Sequence, residues 1–306
     1  MFRMAFSTPG SDSTDAAVAL QPSRSRSAWW DALARLRRSR GAWVGTAILS
    51  LIVLVVLGAG VLSPYDPLAV EADDRFVPPG REHVFGTDIL GRDILSRMLY
   101  GGRLSLVTGL ISVSIALLLG VPMGVLSGFY GGLTDRLIMR LVDLMLTFPG
   151  ILLALVIVAV LGPSLLNAMI AVGVSASPTY ARVVRATTLA SKTEAYIEAA
   201  RALGCSSPRI IVRHILPNTM APLIVLGTLG VAGAMISAAA LSFLGLGAQP
   251  PDPEWGALLS EGRSYLRVAW WITVFPGLAI MVTVLAINLL GDGLRDALDP
   301  RLRGRT

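Results

Sequence analysis

Six stretches of this chain, roughly 42–62, 104–127, 138–161, 165–186, 219–246 and 270–291, are each long and apolar enough to cross a bilayer. A helix needs about 20 apolar residues to span the hydrocarbon core. The whole chain agrees with that reading: 54% of its 306 residues are hydrophobic and only 15% are charged. A soluble domain of this length would need more polar surface to cover its core. The expected fold class is an all-α membrane protein with six transmembrane helices.

Prolines interrupt several of the stretches, at Pro122, Pro149, Pro178 and Pro276. Membrane helices tolerate them where neighbouring helices or water satisfy the freed carbonyls. The fifth stretch carries a run of small residues, from Gly227, Gly230 and Gly233 to Ala240. Small residues let helix backbones approach closely, so this stretch is expected to pack against other helices.

Basic residues set the expected orientation. Residues 1–41 carry seven, 128–140 two, 181–218 six and the C-terminal tail four, against five in 63–103 and two in 247–269. Basic residues collect in cytoplasmic loops, so both termini are expected inside, in the cell (inner) membrane. The net charge of +6 is read as topology, not as a nucleic-acid surface. The 63–103 and 247–269 loops then face outward and carry acids: Asp66, Glu71, Asp73, Asp74, Glu82, Asp88 and Asp93, then Asp252, Glu254 and Glu261.

Residues 1–28 are rich in Ser, Thr, Ala and Pro and read as a disordered tail. With about 40 residues before the first apolar core, that core reads as an uncleaved anchor. Between tail and anchor, 29–41 reads as an amphipathic helix at the lipid surface. Trp29, Trp30, Leu33 and Leu36 share one face, with Arg35, Arg37, Arg38 and Arg40 turned to water or headgroups.

One polar island, 187–218, separates the fourth and fifth stretches. Ser191 and Glu194 have capping-box spacing. A short helix is expected through Glu198, Ala199, Ala200 and Leu203, closed by Gly204 in a left-handed conformation. Ser207 is expected to cap a second helix, with Pro208 at its first position and Pro217 ending it. Tyr196, Ile197, Ala200 and Leu203 have few local partners to bury them. The island therefore reads as a knob for docking into a groove on another protein, or as a plain connector.

The pattern Glu198-Ala199-Ala200, then Gly204, then His214-Ile215-Leu216-Pro217 resembles the EAA loop of ABC importer permeases. GTDILGRDILSRMLYGGRLSL at 86–106, LSFLGLGAQPPDPEWGALLSEGR at 241–263 and LLGDGLRDALDPRLR at 289–303 resemble the C-type permease of the dipeptide/oligopeptide/nickel group. The resemblance covers 42–306 as one permease domain and implies a type I ABC importer permease fold. It implies that Tyr196, Glu198, Ala199, Ala200, Leu203, Gly204, His214 and Pro217 couple to ATPase subunits. It further implies a B-type permease partner, two ABC ATPases or one two-domain ATPase, and an extracytoplasmic substrate-binding protein. The expected cargo is a dipeptide or oligopeptide, with nickel or glutathione as alternatives. The outward loops 63–103 and 247–269 would meet the binding protein.

No catalytic set is expected. A P-loop needs G-x-x-x-x-G-K-[ST]. The one lysine, Lys192, sits in LASKTE with no glycine before it. ATP and its Mg would therefore be bound by the partner ATPases, with no cofactor on this chain. His83 and His214 lie far apart, and Cys205 is the one cysteine, so neither a metal site nor an intrachain disulfide is expected. Arg140 and Asp143, three apart on a helix, are expected to pair or to gate. Asn288 is expected to bond between helices. Ser175, Ser177 and Tyr180 around Pro178 are the candidates for a pathway lining. A self-contained secondary transporter would need carboxylates at mid-depth, and the six stretches carry none there.

Overall fold

The computed structural model describes residues 39–298. The expected 1–28 tail, nearly all of the 29–41 helix and the end of the C-terminal tail lie outside the described residues. The described chain is helical, with no β-strand. In order it forms α1 (Arg40–Leu57), α2 (Ala59–Leu62), α3 (Ile94–Tyr130), α4 (Gly132–Thr147), α5 (Gly150–Leu161), α6 (Leu165–Lys192), α7 (Ala195–Ala202), α8 (Ser207–Ile210), α9 (Leu216–Phe243), α10 (Trp255–Gly262) and α11 (Trp271–Leu298).

Among the described residues, four helical rods are long and apolar enough to cross a membrane: α1, α3, the continuous rod Ser207–Phe243, and α11. The pair α4–α5 makes a fifth if it counts as one span. The expected span over 138–161, with Pro149 inside it, is broken there, α4 and α5 meeting at 94°. Pro149 lacks an N–H and forces the preceding residue out of the helical region. Phe148 is accordingly extended, at φ −89° and ψ 138°. The expected 165–186 span lies within α6, which has 28 residues but carries Arg182 and Arg185 and is less apolar than the others.

The second span also begins earlier than 104, at Ile94. The Asp93 carboxylate accepts from the Ser96 amide at 2.7 Å and caps it. Arg103 closes α1 across the fold, donating through Nε to the Val56 carbonyl at 2.9 Å and through Nη2 to Leu57 at 2.6 Å.

The core is built on α3 against α6. Gly120, Gly124 and Gly128 of α3 sit four apart, so they share one face. A Cβ on Gly124 would lie 2.5 Å from the Ala181 carbonyl oxygen and 2.6 Å from Val184 Cβ. The small-residue stretch expected to pack closely lies in α9. There Gly230 does approach the Tyr180 hydroxyl, but a Cβ on Gly233 meets nothing within 4 Å among the described residues. The glycine row in α3 instead sets three successive glycines against α6. Gly124→Val should cost about 1–3 kcal/mol by overpacking a seam with little room to move. A clearly lower unfolding midpoint in detergent checks this, and an unchanged midpoint would contradict the packing argument.

At the α3 N-terminal end, several of the acids assigned to the outward loops are buried. Asp88, Asp93 and Glu254 are each at most 3% exposed. Arg97 Nη1 donates to Asp88 Oδ2 and to Glu261 Oε2, both at 2.6 Å, and Arg92 Nε donates to Asp88 Oδ2 at 2.7 Å. His83 Nδ1 meets Asp93 Oδ1 at 2.9 Å. Glu254 caps α10 through the Ala257 amide and accepts from Ser105. These acids tie α3, α10 and the preceding loop together.

Candidate functional site

The polar island folds as a two-helix knob, with changes to its expected boundaries. α6 runs through Lys192, and Glu194 is the N-cap of α7 without a side-chain cap bond. The Ser191–Glu194 capping box therefore does not form, because Ser191 is still inside the preceding helix. At the other end of α7, Gly204 has φ +78°. Its N–H bonds to Arg201 O at 2.9 Å, and Cys205 N–H bonds back to Ala200 O at 3.0 Å. That pair of bonds is a Schellman closure, the stop expected from Gly204.

Ser206, not Ser207, is the N-cap of α8, which starts at Ser207. Pro217 does not end the second helix. A π turn at Ile211–Ile215 joins α8 to α9 without a break. In a regular helix the Pro217 ring would clash with the carbonyl four residues back. The wider turn makes room and keeps the chain helical.

Two of the expected docking residues are internal. Ile197 is fully buried and Ala200 nearly so, packed with Phe129, Ile210 and Ile215. Their partner Phe129 comes from the end of α3, remote in sequence. Its ring lies under Arg201 Cζ at 5.5 Å and Lys192 Nζ at 5.8 Å. Lys192 Nζ also donates to the Phe129 carbonyl at 2.6 Å. The knob is therefore anchored to α3 by an apolar plug with two cations over it. Tyr196, Glu198, Ala199, Leu203, Gly204 and Pro217 are exposed, Leu203 most of all at 84%. Tyr196 accepts from Asn218 Nδ2 at 2.5 Å, and its ring lies 6.1 Å from that of His214, which is half-buried. Cys205 is half-buried in the turn.

The charged pair expected at Arg140 and Asp143 does not form. Asp143 accepts instead from Arg182 Nη2 at 2.7 Å, because α4 lies beside α6. Arg185 grips Asp135 with two bonds, of 2.6 and 2.7 Å, and Ser127 also donates to Asp135. Asn288 is half-buried and makes no side-chain hydrogen bond among the described residues, so the expected interhelical bond is absent.

A cavity of about 360 Å³ lies among α3, the α4–α5 break, α6 and α9. Of the candidate pathway residues, Ser175 and Tyr180 line it. Ser177 does not. It is buried, and its hydroxyl donates to Val174 O at 2.8 Å. Ser112, Thr179 and Ser237 line the same space, and no pattern in the sequence singles them out. Ser112 Oγ is buried with no hydrogen-bond partner among the described residues. No cluster of three or more metal-ligating side chains occurs among them.

Residues 120–304 match the family described as "Binding-protein-dependent transport system inner membrane component". Residues 27–79 match "N-terminal TM domain of oligopeptide transport permease C". The dipeptide transport system permease protein DppC of Alkalihalophilus pseudofirmus is 47% identical over 277 residues, 90% of this chain and 91% of that one. The glutathione transport system permease protein GsiD of Escherichia coli O157:H7 is 46% identical over 286 residues, 93% of this chain and 94% of that one. The fold is similar to an inward-facing structure of the MetNI methionine ABC transporter. There the TM-score is 0.56 at 21% identity, covering 67% of this chain and 98% of that one.

Proposed function

This chain belongs to the binding-protein-dependent transport system inner membrane components, as a multi-pass ABC importer permease of the peptide group, and from that premise we propose how it works. The permease pairs with a homologous B-type permease, two ATPase subunits or one two-domain ATPase, and an outer substrate-binding protein. Six spans, α4–α5 and α6 among them, leave both termini in the cytoplasm. ATP and Mg bind to the ATPases, and closure of those subunits moves the knob at 195–216. Because the knob is fastened to α3 through Phe129, its displacement would shift a helix that also lines the cavity. Rigid-body switching of a packed element is a known way to alternate access.

One observation carries the coupling reading. The knob buries Ile197 and Ala200 internally yet leaves Tyr196, Leu203 and the Glu198-Ala199 edge uncovered. A plain connector has no need of an anchored platform with an open apolar face. The expected cargo is a dipeptide or oligopeptide. Glutathione, itself a peptide, is the second reading, favoured by the similarity to a glutathione permease.

The test is reconstitution. Purified with its ATPases, partner permease and binding protein, the chain should drive ATP-dependent uptake of dialanine or glutathione into vesicles. The chain alone should drive none. Uptake by the chain alone would replace this reading with a secondary transporter.

A further inference from the structure

The knob is joined to two helices that line the cavity. It is packed on α3 through Phe129, and it runs into α9 through the chain itself, since Ser207–Phe243 is one continuous rod. A movement of the knob has to displace both helices together or bend the rod between them.

The rod is interrupted where it leaves the knob. Leu216 N–H bonds to Ile211 O, five residues back, and so forms the π turn. Pro217 follows at once, and Pro222 lies inside α9. Neither proline offers an N–H to the carbonyls of the turn before it. Between them the buried Thr219 hydroxyl donates back to Leu216 O at 2.8 Å. Hydroxyls that bond back in this way tend to bend a helix. Prolines and π turns are the usual causes of a kink, and π turns collect at functional sites. After Pro222 no further proline interrupts α9 as far as Phe243.

The packing divides at the same place. On the knob side, Ile210 and Ile215 are buried in the Phe129 plug. On the far side, Leu223 is buried in the core of the bundle, with Val113, Tyr180 and Ala234. Ile211 is partly buried and packs against both clusters. A polar clasp crosses the interruption, the bond from Asn218 Nδ2 to the Tyr196 hydroxyl. It is exposed, and a single hydrogen bond of this kind is weak enough to open.

We propose that residues 211–222 form a joint, at which the knob and α3 turn as one body against α9 and so change the width of the cavity between them. The proposal rests on the transport reading above and names the residues that position one cavity wall against the other. The α3 wall includes Val113, and the α9 wall includes Leu226, Gly230 and Ala234. Pro222 is not in the lining, so it acts as a positioning residue. Joints of this sort are a few residues at the end of an element that absorb the backbone change.

The complete complex is reconstituted in vesicles on a Cys205→Ala background, and distances are read between pairs of spin labels. Arg209→Cys marks the knob, Leu118→Cys marks α3 and Ile236→Cys marks α9. All three positions are exposed, and none lines the cavity. Trapping the ATPases with ATP and vanadate should leave the 209–118 distance as it was and shift the 209–236 distance. A constant 209–236 distance means that the rod moves in one piece, and overturns the joint. A 209–118 shift as large as the one on α9 overturns it too.

Pro222→Ala supplies the missing backbone donor and a good helix former. It should raise the unfolding midpoint, narrow the 209–236 distance distribution and slow uptake severalfold. A proline kept for packing alone would not gain stability and lose transport together. Pro222→Gly, which keeps the backbone free to bend, should retain uptake. Asn218→Ala opens the clasp and should widen the nucleotide-free distribution. Parental uptake in Pro222→Ala, equally slow uptake in Pro222→Gly, or a width indifferent to Pro222→Ala and Asn218→Ala overturns the joint. The two claims fail separately. A parent complex without ATP-driven uptake sinks the transport reading, and the nucleotide-free widths still decide the joint. Full uptake by a parent whose rod stays rigid sinks the joint alone.

Discussion

Reversing one charge, Glu198→Lys, should abolish uptake while the permease stays folded in the membrane. Glu198 is exposed on α7 and makes no ion pair among the described residues. Surface substitutions away from packed or paired features stay within about 0.5 kcal/mol of the parent. Its effect must therefore come from a partner surface, where a like charge against a docked face costs several kcal/mol. Gly204→Val reaches the same end by another route. A Cβ there meets nothing within 4 Å among the described residues, so the penalty is the backbone alone, at φ +78°. For a β-branched residue that is about 1–2 kcal/mol, enough to reshape the Schellman turn without unfolding the spans. The measurement is co-purification of the ATPases together with ATP-driven uptake. Full uptake by both variants would remove the knob from the coupling path.

The helical class and the knob are legible in the sequence because each depends on neighbours in the chain. Twenty apolar residues announce a span, and Gly204 announces a left-handed stop. What stays hidden depends on partners far away in sequence. Ile197 and Ala200 look stranded until Phe129 arrives from α3. Arg140 looks paired with Asp143 by helical spacing, until α6 brings Arg182 closer. Pro149 signals an interruption, but not that the two halves turn by 94° beside a cavity. Pro217 reads as a helix end, yet the helix runs through it. The π turn before it decides, and that turn leaves no residue signature. Ser112 is one hydroxyl in an apolar stretch until the fold buries it without a partner among the described residues.

Arginine counts set an expected sidedness and hide the most buried cation among the described residues. Arg97 is wholly inaccessible, yet by sequence it falls among the loop charges. Its guanidinium bridges Asp88 and Glu261, and Arg92 joins both acids, so two cations balance two carboxylates. Removing one cation leaves acids with too few donors in a low-dielectric site. Breaking a buried pair from one side typically costs about 3–5 kcal/mol, more than the intact pair contributes. Arg97→Ala should therefore destabilise the fold more than Gly124→Val or Gly204→Val, seen as a lower denaturant midpoint and poor recovery from detergent. Arg97→Met keeps most of the side-chain volume and should fail nearly as badly, which separates lost charge from lost packing. Adding Asp88→Asn to Arg97→Met should recover part of the deficit, because the stranded carboxylate is then neutral. A single variant as stable as the parent, or a double variant no better than Arg97→Met, would show that the network does not hold α3 to α10.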